Sequence, residues 1–64
     1  MKAYMVHLFN GDVFLVKANS VEYAREYIFV DGQSIPHNDI EYAIDEDGYI
    51  YKWEREEWLK IKAY

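Results

Sequence analysis

The sequence predicts an α+β domain in which a five-stranded antiparallel sheet packs on one helix, with the chain order β-β-α-β-β-β. Three observations predict this fold. Apolar and polar residues alternate in several short segments, as they do in strands with one buried face. Turn signals that contain glycine separate these segments. One stretch in the first half has helical periodicity instead. All 64 residues form a single domain, because a chain of this length holds one core.

The first two strands are predicted to form a hairpin across Asn10-Gly11. This dipeptide is a strong hairpin signal because both residues tolerate positive φ. Residues 3–9 and 13–18 flank it and are rich in strand formers. A three-residue loop over 10–12 is preferred, since a two-residue loop would place a lysine on the apolar face. The face predicted to be buried is formed by Tyr4, Val6, Leu8, Phe14, Val16 and Ala18.

The helix is predicted over residues 20–30. It begins with the spacing of a capping box, because Glu22 follows Asn19 by three positions. It ends at Asp31-Gly32, where glycine occupies the position after the last turn. Residues 33–39 then form a loop. The buried stripe at helical spacing consists of Val21, Ala24 and Ile28.

The second half of the chain is predicted to form three more strands. They cover residues 40–44, 49–54 and 58–64. Asp45-Glu46-Asp47-Gly48 forms the first turn between them, and Arg55-Glu56 forms the second. This register sets Glu41 opposite Lys52 and Trp53 opposite Trp58. Both are favourable cross-strand pairs, which supports the register.

The same register separates an aromatic face of the sheet from an aliphatic face. The aromatic face carries Ile40, Tyr42, Ile44, Tyr49, Tyr51, Trp53 and Trp58, and the aliphatic face carries Ala43, Ile50, Leu59 and Ile61. One helix covers only one of them, and the sequence leaves open which. If the aromatic face is open, it is a binding surface, because Tyr and Trp dominate binding hot spots. If it is covered, these residues are core.

Acidic residues are concentrated in the second half. The net charge is −5, and residues 39–57 alone contribute −6. Such a field repels nucleic acid and attracts basic protein surfaces. Direct nucleic-acid binding through the lysines among the aromatic residues (Lys52, Lys60 and Lys62) is therefore disfavoured. The predicted partner is a protein.

No catalytic, metal or cofactor site is predicted. The chain has no cysteine, and His7 and His37 do not stand at metal-ligand spacing. Its three glycines are too dispersed for a phosphate-binding loop. No apolar run approaches the roughly 20 residues that span a membrane, so membrane association is not expected. We therefore predict that the protein is not an enzyme.

Two segments carry a resemblance to a known class of proteins. Residues 13–27, Val-Phe-Leu-Val-Lys-Ala-Asn-Ser-Val-Glu-Tyr-Ala-Arg-Glu-Tyr, have the pattern of a strand, a polar cap and a helix with alanine at its fifth residue. Residues 47–54 read Asp-Gly-Tyr-Ile-Tyr-Lys-Trp-Glu. With the element order, this pattern resembles small phage-encoded anti-CRISPR proteins, in which an antiparallel sheet wraps one helix. The resemblance implies an inhibitor of a defence complex in the cytoplasm of a bacterial host.

The leading prediction is a small, acidic, non-catalytic inhibitor that blocks a basic, nucleic-acid-binding protein surface as a DNA mimic. The predicted partner-binding residues are Asp45, Glu46, Asp47, Glu54, Glu56 and Glu57, with Tyr49, Tyr51, Trp53 and Trp58 as anchors if their face is open. The alternative is a structural or assembly module. Such a module would be a homodimer or virion component that pairs through an open sheet face or an edge strand.

Overall fold

The computed structural model describes residues 1–62 and contains a five-stranded antiparallel sheet with one short helix on one face. The elements in chain order are β1 (Lys2–Leu8), β2 (Val13–Ala18), α1 (Val21–Glu26), β3 (Phe29–Val30), β4 (Gln33–Ser34), β5 (Ile40–Asp45), β6 (Tyr49–Glu54) and β7 (Glu57–Lys62). The strand order across the sheet is β2-β1-β5-β6-β7. The predicted class and the five-stranded antiparallel sheet are thus confirmed. Ala63 and Tyr64, predicted to end the last strand, lie outside the described residues.

The predicted order β-β-α-β-β-β is wrong in its middle, because α1 ends at Glu26 and a small hairpin follows it. Strands β3 and β4 pair only with each other. Asp31 and Gly32 both have positive φ, 55° and 80°, and form the two-residue turn of this hairpin rather than a helix cap. The predicted loop over 33–39 instead contains β4 and a 3-10 turn at His37–Asp39.

Hydrogen bonds between the end of α1 and residues 34–35, where the chain returns past the helix, explain why the helix stops early. The Oγ of Ser34 donates to the carbonyl of Glu26 (3.1 Å), and Nη1 of Arg25 donates to the carbonyl of Ile35 (3.0 Å). Both bonds fix the small hairpin against the end of α1. At the other end, Ser20 is the N-cap and accepts from the amide of Tyr23 at 3.5 Å. The N-cap therefore lies one position after Asn19, and the predicted capping box with Glu22 does not form.

The β1–β2 and β5–β6 hairpins have the same loop, three residues long and ending in glycine. In the first, the amide of Gly11 donates to the carbonyl of Leu8 (3.0 Å) and φ of Gly11 is 96°. In the second, the amide of Gly48 donates to the carbonyl of Asp45 (3.0 Å) and φ of Gly48 is 89°. Each glycine supplies the left-handed residue that such a loop needs.

The first loop covers residues 9–11 rather than 10–12, which shifts the pairing by two residues and leaves each side chain on its predicted face. The predicted buried face is confirmed: Tyr4, Val6, Leu8 and Ala18 are buried, and Phe14 and Val16 are half-buried. This face packs on the helix side. The rest of the core consists of Val21, Ala24, Ile28, Ile35, Ile40 and Ala43.

The second loop changes which residues share a face. Asp45 belongs to β5, so Ala43 pairs with Tyr51 and Ile44 pairs with Ile50. The register is one residue away from the predicted one, and Glu41 does not lie opposite Lys52. The predicted pair of Trp53 and Trp58 in the next hairpin is confirmed.

The aromatic side chains of β6 and β7 therefore lie on the helix side with Ala43, whereas Ile44 and Tyr42 lie on the other side. Ile40 reaches the helix side opposite Leu8, because the register shifts between His7 and Leu8. No helix within residues 1–62 is long and apolar enough to cross a membrane.

Candidate protein-binding surface

Aliphatic side chains cross all five strands on the sheet face opposite α1. Each is the direct cross-strand partner of the next, so the register alone brings them together. We call them the aliphatic row: Leu15, Met5, Ile44, Ile50 and Ile61, in order from β2 to β7.

The aliphatic row is exposed toward both edges of the sheet. Leu15 is 71% exposed, Met5 44% and Ile61 45%, while Ile44 and Ile50 in the centre are half-buried. The helix and the 3-10 turn pack against the opposite face, and no element of residues 1–62 covers the row. Scattered exposed apolar residues are ordinary, but a contiguous apolar strip across a whole sheet is typical of an interaction site.

A second row lies beside the first on the same face. Val13 pairs with His7, and His7 pairs with Tyr42, whose ring stacks on the imidazole at 4.3 Å. On the far strands, Lys52 pairs with Leu59. The face therefore has an apolar centre bordered by Lys52. The sequence prediction placed Ile50, Leu59 and Ile61 on one face but missed Tyr42 and Ile44, because the register of β5 and β6 was wrong by one residue.

The four aromatic residues predicted as anchors lie on the covered side of the sheet. Their anchor role required that side to be open, but neighbouring side chains on it partly cover them. His37 stacks on Trp53 with ring centroids 3.9 Å apart, and Trp53 meets Trp58 edge to face at 5.4 Å. The Nζ of Lys60 lies 4.2 Å from the ring centre of Tyr49. All four anchors (Tyr49, Tyr51, Trp53 and Trp58) are half-buried.

Asp45 was predicted to contact a partner, but the structure places it in the interior. It is 4% exposed, and its carboxylate accepts hydrogen bonds from the amides of Asp47 (2.9 Å) and Tyr49 (3.0 Å) and from the hydroxyl of Tyr51 (2.9 Å). Nζ of Lys2 lies 3.8 Å from Oδ2 of Asp45. Asp45 therefore organises the β5–β6 turn and is removed from the predicted contact set.

The pKa values of the Asp45–Tyr51 pair move in opposite directions. Burial acts to raise the pKa of Asp45, but the three hydrogen bonds and the charge of Lys2 outweigh it and hold that pKa below its ordinary value. Burial and the hydrogen bond to the Asp45 carboxylate raise the pKa of Tyr51 to about 12. The pair thus favours an ionised carboxylate and a neutral phenol.

The remaining acidic residues predicted as contacts form two separate groups. Glu46 and Asp47 make contacts within the chain, since Oε1 of Glu46 accepts from the amide of Ala3 (3.2 Å) and Asp47 pairs with Lys2 at 2.7 Å. The second group, at the β6–β7 turn, is exposed: Glu54, Glu56 and Glu57. The two turns lie at opposite ends of β6, about 20 Å apart at roughly 3.3 Å per residue, so the fold does not bring the groups together.

Two features outside the sheet face contain titratable residues. A cleft of about 480 Å³ lies between the β1–β2 loop and the small hairpin, and Asp39 is the one titratable residue in its lining. His37 is half-buried, and burial together with Arg25 lowers its pKa. Among residues 1–62, no three His, Asp or Glu side chains converge to hold a metal ion. His37 lines a second cleft, of about 230 Å³, together with Glu22, Tyr23, Arg25 and Glu26.

Comparison of the chain with protein families, with curated proteins and with solved structures finds no match. The inference of function therefore rests on the geometry and chemistry of the chain itself.

Proposed function

We propose that this protein is a non-catalytic protein-binding domain that docks through the sheet face opposite the helix. The observation that carries the proposal is the aliphatic row, which crosses all five strands of the larger sheet and which no element within residues 1–62 covers. A protein interface typically has an apolar centre depleted of charge and a polar rim. The open face fits that description, because its charged strand residues flank the aliphatic row and do not interrupt it (Lys17, Lys52, Glu54 and Glu57).

The size of the face sets the expected strength of binding. Five strands at about 4.8 Å each span about 24 Å, and six residues at about 3.3 Å span about 20 Å, which gives a face of about 500 Å². Only the apolar part of this area gains about 25 cal/mol per Å² on burial, so the gain from one face is below about 12 kcal/mol before costs. Association costs of roughly 4–15 kcal/mol take up much of this gain. We therefore expect weak to moderate affinity.

The test compares three tagged forms of the chain as baits: the wild type, Leu15→Lys and Phe29→Lys. Leu15 and Phe29 are similarly exposed, at 71% and 62%, but Phe29 lies in the small hairpin and not on the open face. A bound protein should be retained by the wild type and by Phe29→Lys, and lost with Leu15→Lys. Retention of the same proteins by all three baits would contradict the proposal.

A second candidate is the acidic inhibitor of a nucleic-acid-handling complex, such as an anti-CRISPR protein in a bacterial host. The observation that favours it is the β6–β7 turn, which exposes Glu54, Glu56 and Glu57. Among residues 1–62 none of the three forms an ion pair. They are available to a basic surface that otherwise holds phosphates.

Salt and charge reversal separate the two candidates. A complex held by the acidic turn should weaken steeply as salt rises, and Glu54→Lys with Glu57→Lys should abolish it. A complex held by the aliphatic row should tolerate both changes. Binding that survives high salt and this charge reversal rejects the inhibitor candidate.

A further inference from the structure

We propose that the open sheet face binds a second copy of this chain, so that two sheets pack face to face in a homodimer. This inference rests on the proposed function and names its partner. Two sheets that pack in this way bury their facing side chains in a layer about 10 Å thick. The open face of a single copy has the composition of one half of such a layer.

The aliphatic row is arranged to pair with itself. Its middle member, Ile44, lies on β5, the central strand of the sheet. A two-fold axis between the sheets, parallel to the strands and passing over Ile44, places Leu15 of one copy over Ile61 of the other. Met5 then lies over Ile50. A two-fold interface requires this property, because the same patch must complement itself.

The second row follows the same symmetry. The axis that pairs the aliphatic row also places Val13 over Leu59 of the other copy. Only residues of the central strand face their own counterparts, and those on the open face of β5 are Tyr42 and Ile44. Lys17 and Lys52 lie on other strands and do not face themselves. The two copies therefore meet without placing identical charges together.

The area of the face is that of a weak, reversible dimer. Two faces of about 500 Å² bury about 1,000 Å² in total, which lies below the roughly 1,200–2,000 Å² of stable interfaces and in the range of transient ones. A chain of this length also gains from association, because it buries only about 60% of its unfolded surface when alone. We expect a reversible dimer whose population depends on concentration.

Sedimentation analysis of purified chains tests the dimer. The wild type should pass from monomer to dimer between about 1 µM and about 500 µM, the range of a weak, reversible complex. Raising the salt should leave the dimer intact, since each copy carries a net charge of −5 and the contact is apolar. Leu15→Lys and Ile61→Glu should each weaken self-association at least tenfold, and circular dichroism should show that both remain folded.

Mixing the two variants tests the symmetry. In the proposed dimer, Lys at position 15 of one copy meets Glu at position 61 of the other. The symmetry-related contact, between Ile61 of the first copy and Leu15 of the second, is unchanged. An equimolar mixture should therefore associate, although neither variant does so alone. A mixture that stays monomeric overturns the proposed arrangement.

Failure of this inference can be distinguished from failure of the proposed function. A wild type that is monomeric at every concentration overturns the homodimer. The proposed function survives this result if the wild type and Phe29→Lys capture another protein that Leu15→Lys does not. The open face is then a binding surface for that partner.

Discussion

The hydroxyl of Tyr51 donates a hydrogen bond of 2.9 Å to Oδ2 of Asp45 across the β5–β6 hairpin. The other carboxylate oxygen accepts from the amides of Asp47 and Tyr49. One buried side chain thus fixes the turn and the register of the two strands. That register places Ile44 and Ile50 together on the open face. The candidate binding surface therefore depends on a carboxylate that lies on the opposite side of the sheet.

Replacing Asp45 should strongly destabilise the protein. Asp45→Ala removes three part-buried hydrogen bonds to a carboxylate, and a hydrogen bond to a charged group is worth about 1.5–3 kcal/mol. We expect a loss of about 3 kcal/mol or more in the free energy of unfolding, measured by urea denaturation. Asp47→Ala is the matched control, because it removes an exposed ion pair worth at most about 1 kcal/mol. Equal losses in the two variants would show that Asp45 does not hold the turn.

The alkaline limit of stability should depend on Tyr51. Its pKa is raised to about 12 in the folded protein from 10.0, so the unfolded chain loses this proton at lower pH. The stability contribution is therefore complete below pH 10 and is lost as the pH rises toward 12. Tyr51→Phe should reduce this fall while the other tyrosines titrate as before. An unchanged alkaline profile in Tyr51→Phe would argue against the hydrogen bond to Asp45.

His37 should make stability fall on the acid side of neutrality. Burial, together with Arg25, lowers its pKa below 6.5, so the unfolded state binds a proton before the folded state does. The contribution is complete above about pH 6.5 and is lost as the pH falls through the folded pKa. His37→Phe keeps a ring to stack on Trp53 but cannot titrate. Urea denaturation above and below pH 6.5 should show a smaller fall for His37→Phe than for the wild type, and equal falls would refute the assignment.

Two substitutions in the β6–β7 turn should increase the stability of the protein. Arg55 and Glu56 both have positive φ, 52° and 62°, a conformation that costs residues other than glycine about 1–2 kcal/mol each. Asn-Gly is the preferred sequence for a two-residue turn of this kind. Arg55→Asn combined with Glu56→Gly should therefore raise the free energy of unfolding by about 1 kcal/mol or more.

Gly11→Ala is the converse control, because it adds a side chain at a positive φ in the β1–β2 loop. An added methyl group at Gly11 has no atom within 4 Å, so only the positive φ of 96° opposes it. This variant should be less stable than the wild type by about 1 kcal/mol. If the double variant were no more stable than the wild type, the strain attributed to the turn would be absent.

Sequence patterns predicted the elements of the sheet but not the faces of its second half. The first hairpin kept its faces because its loop moved by one residue and its pairing moved by two. The second hairpin exchanged its faces because Asp45 joined β5 and shortened the loop by one residue. Nothing in local propensity shows that an aspartate in an acidic turn will be buried, since two of its partners, Lys2 and Tyr51, lie on other strands and reach it only after the sheet forms.

The end of the helix was also not predictable from local sequence. Val21, Ala24 and Ile28 are all buried, as their helical spacing predicted, yet Ile28 lies beyond α1. Asp31-Gly32 is a signal both for a helix end and for a hairpin turn. Tertiary contacts of the returning chain decided between them. For the site, composition indicated protein binding, but the residues that form the open face could be identified only from the register.

Methyl signals in nuclear magnetic resonance spectra of the labelled chain test the binding role of the open face most directly. On concentration, or on addition of a captured partner, the signals of Met5, Ile44 and Ile50 should move while that of Val6 in the core stays fixed. Signal changes confined to residues of the β6–β7 turn, with unchanged signals in the aliphatic row, would contradict binding through the open face and favour the acidic inhibitor instead.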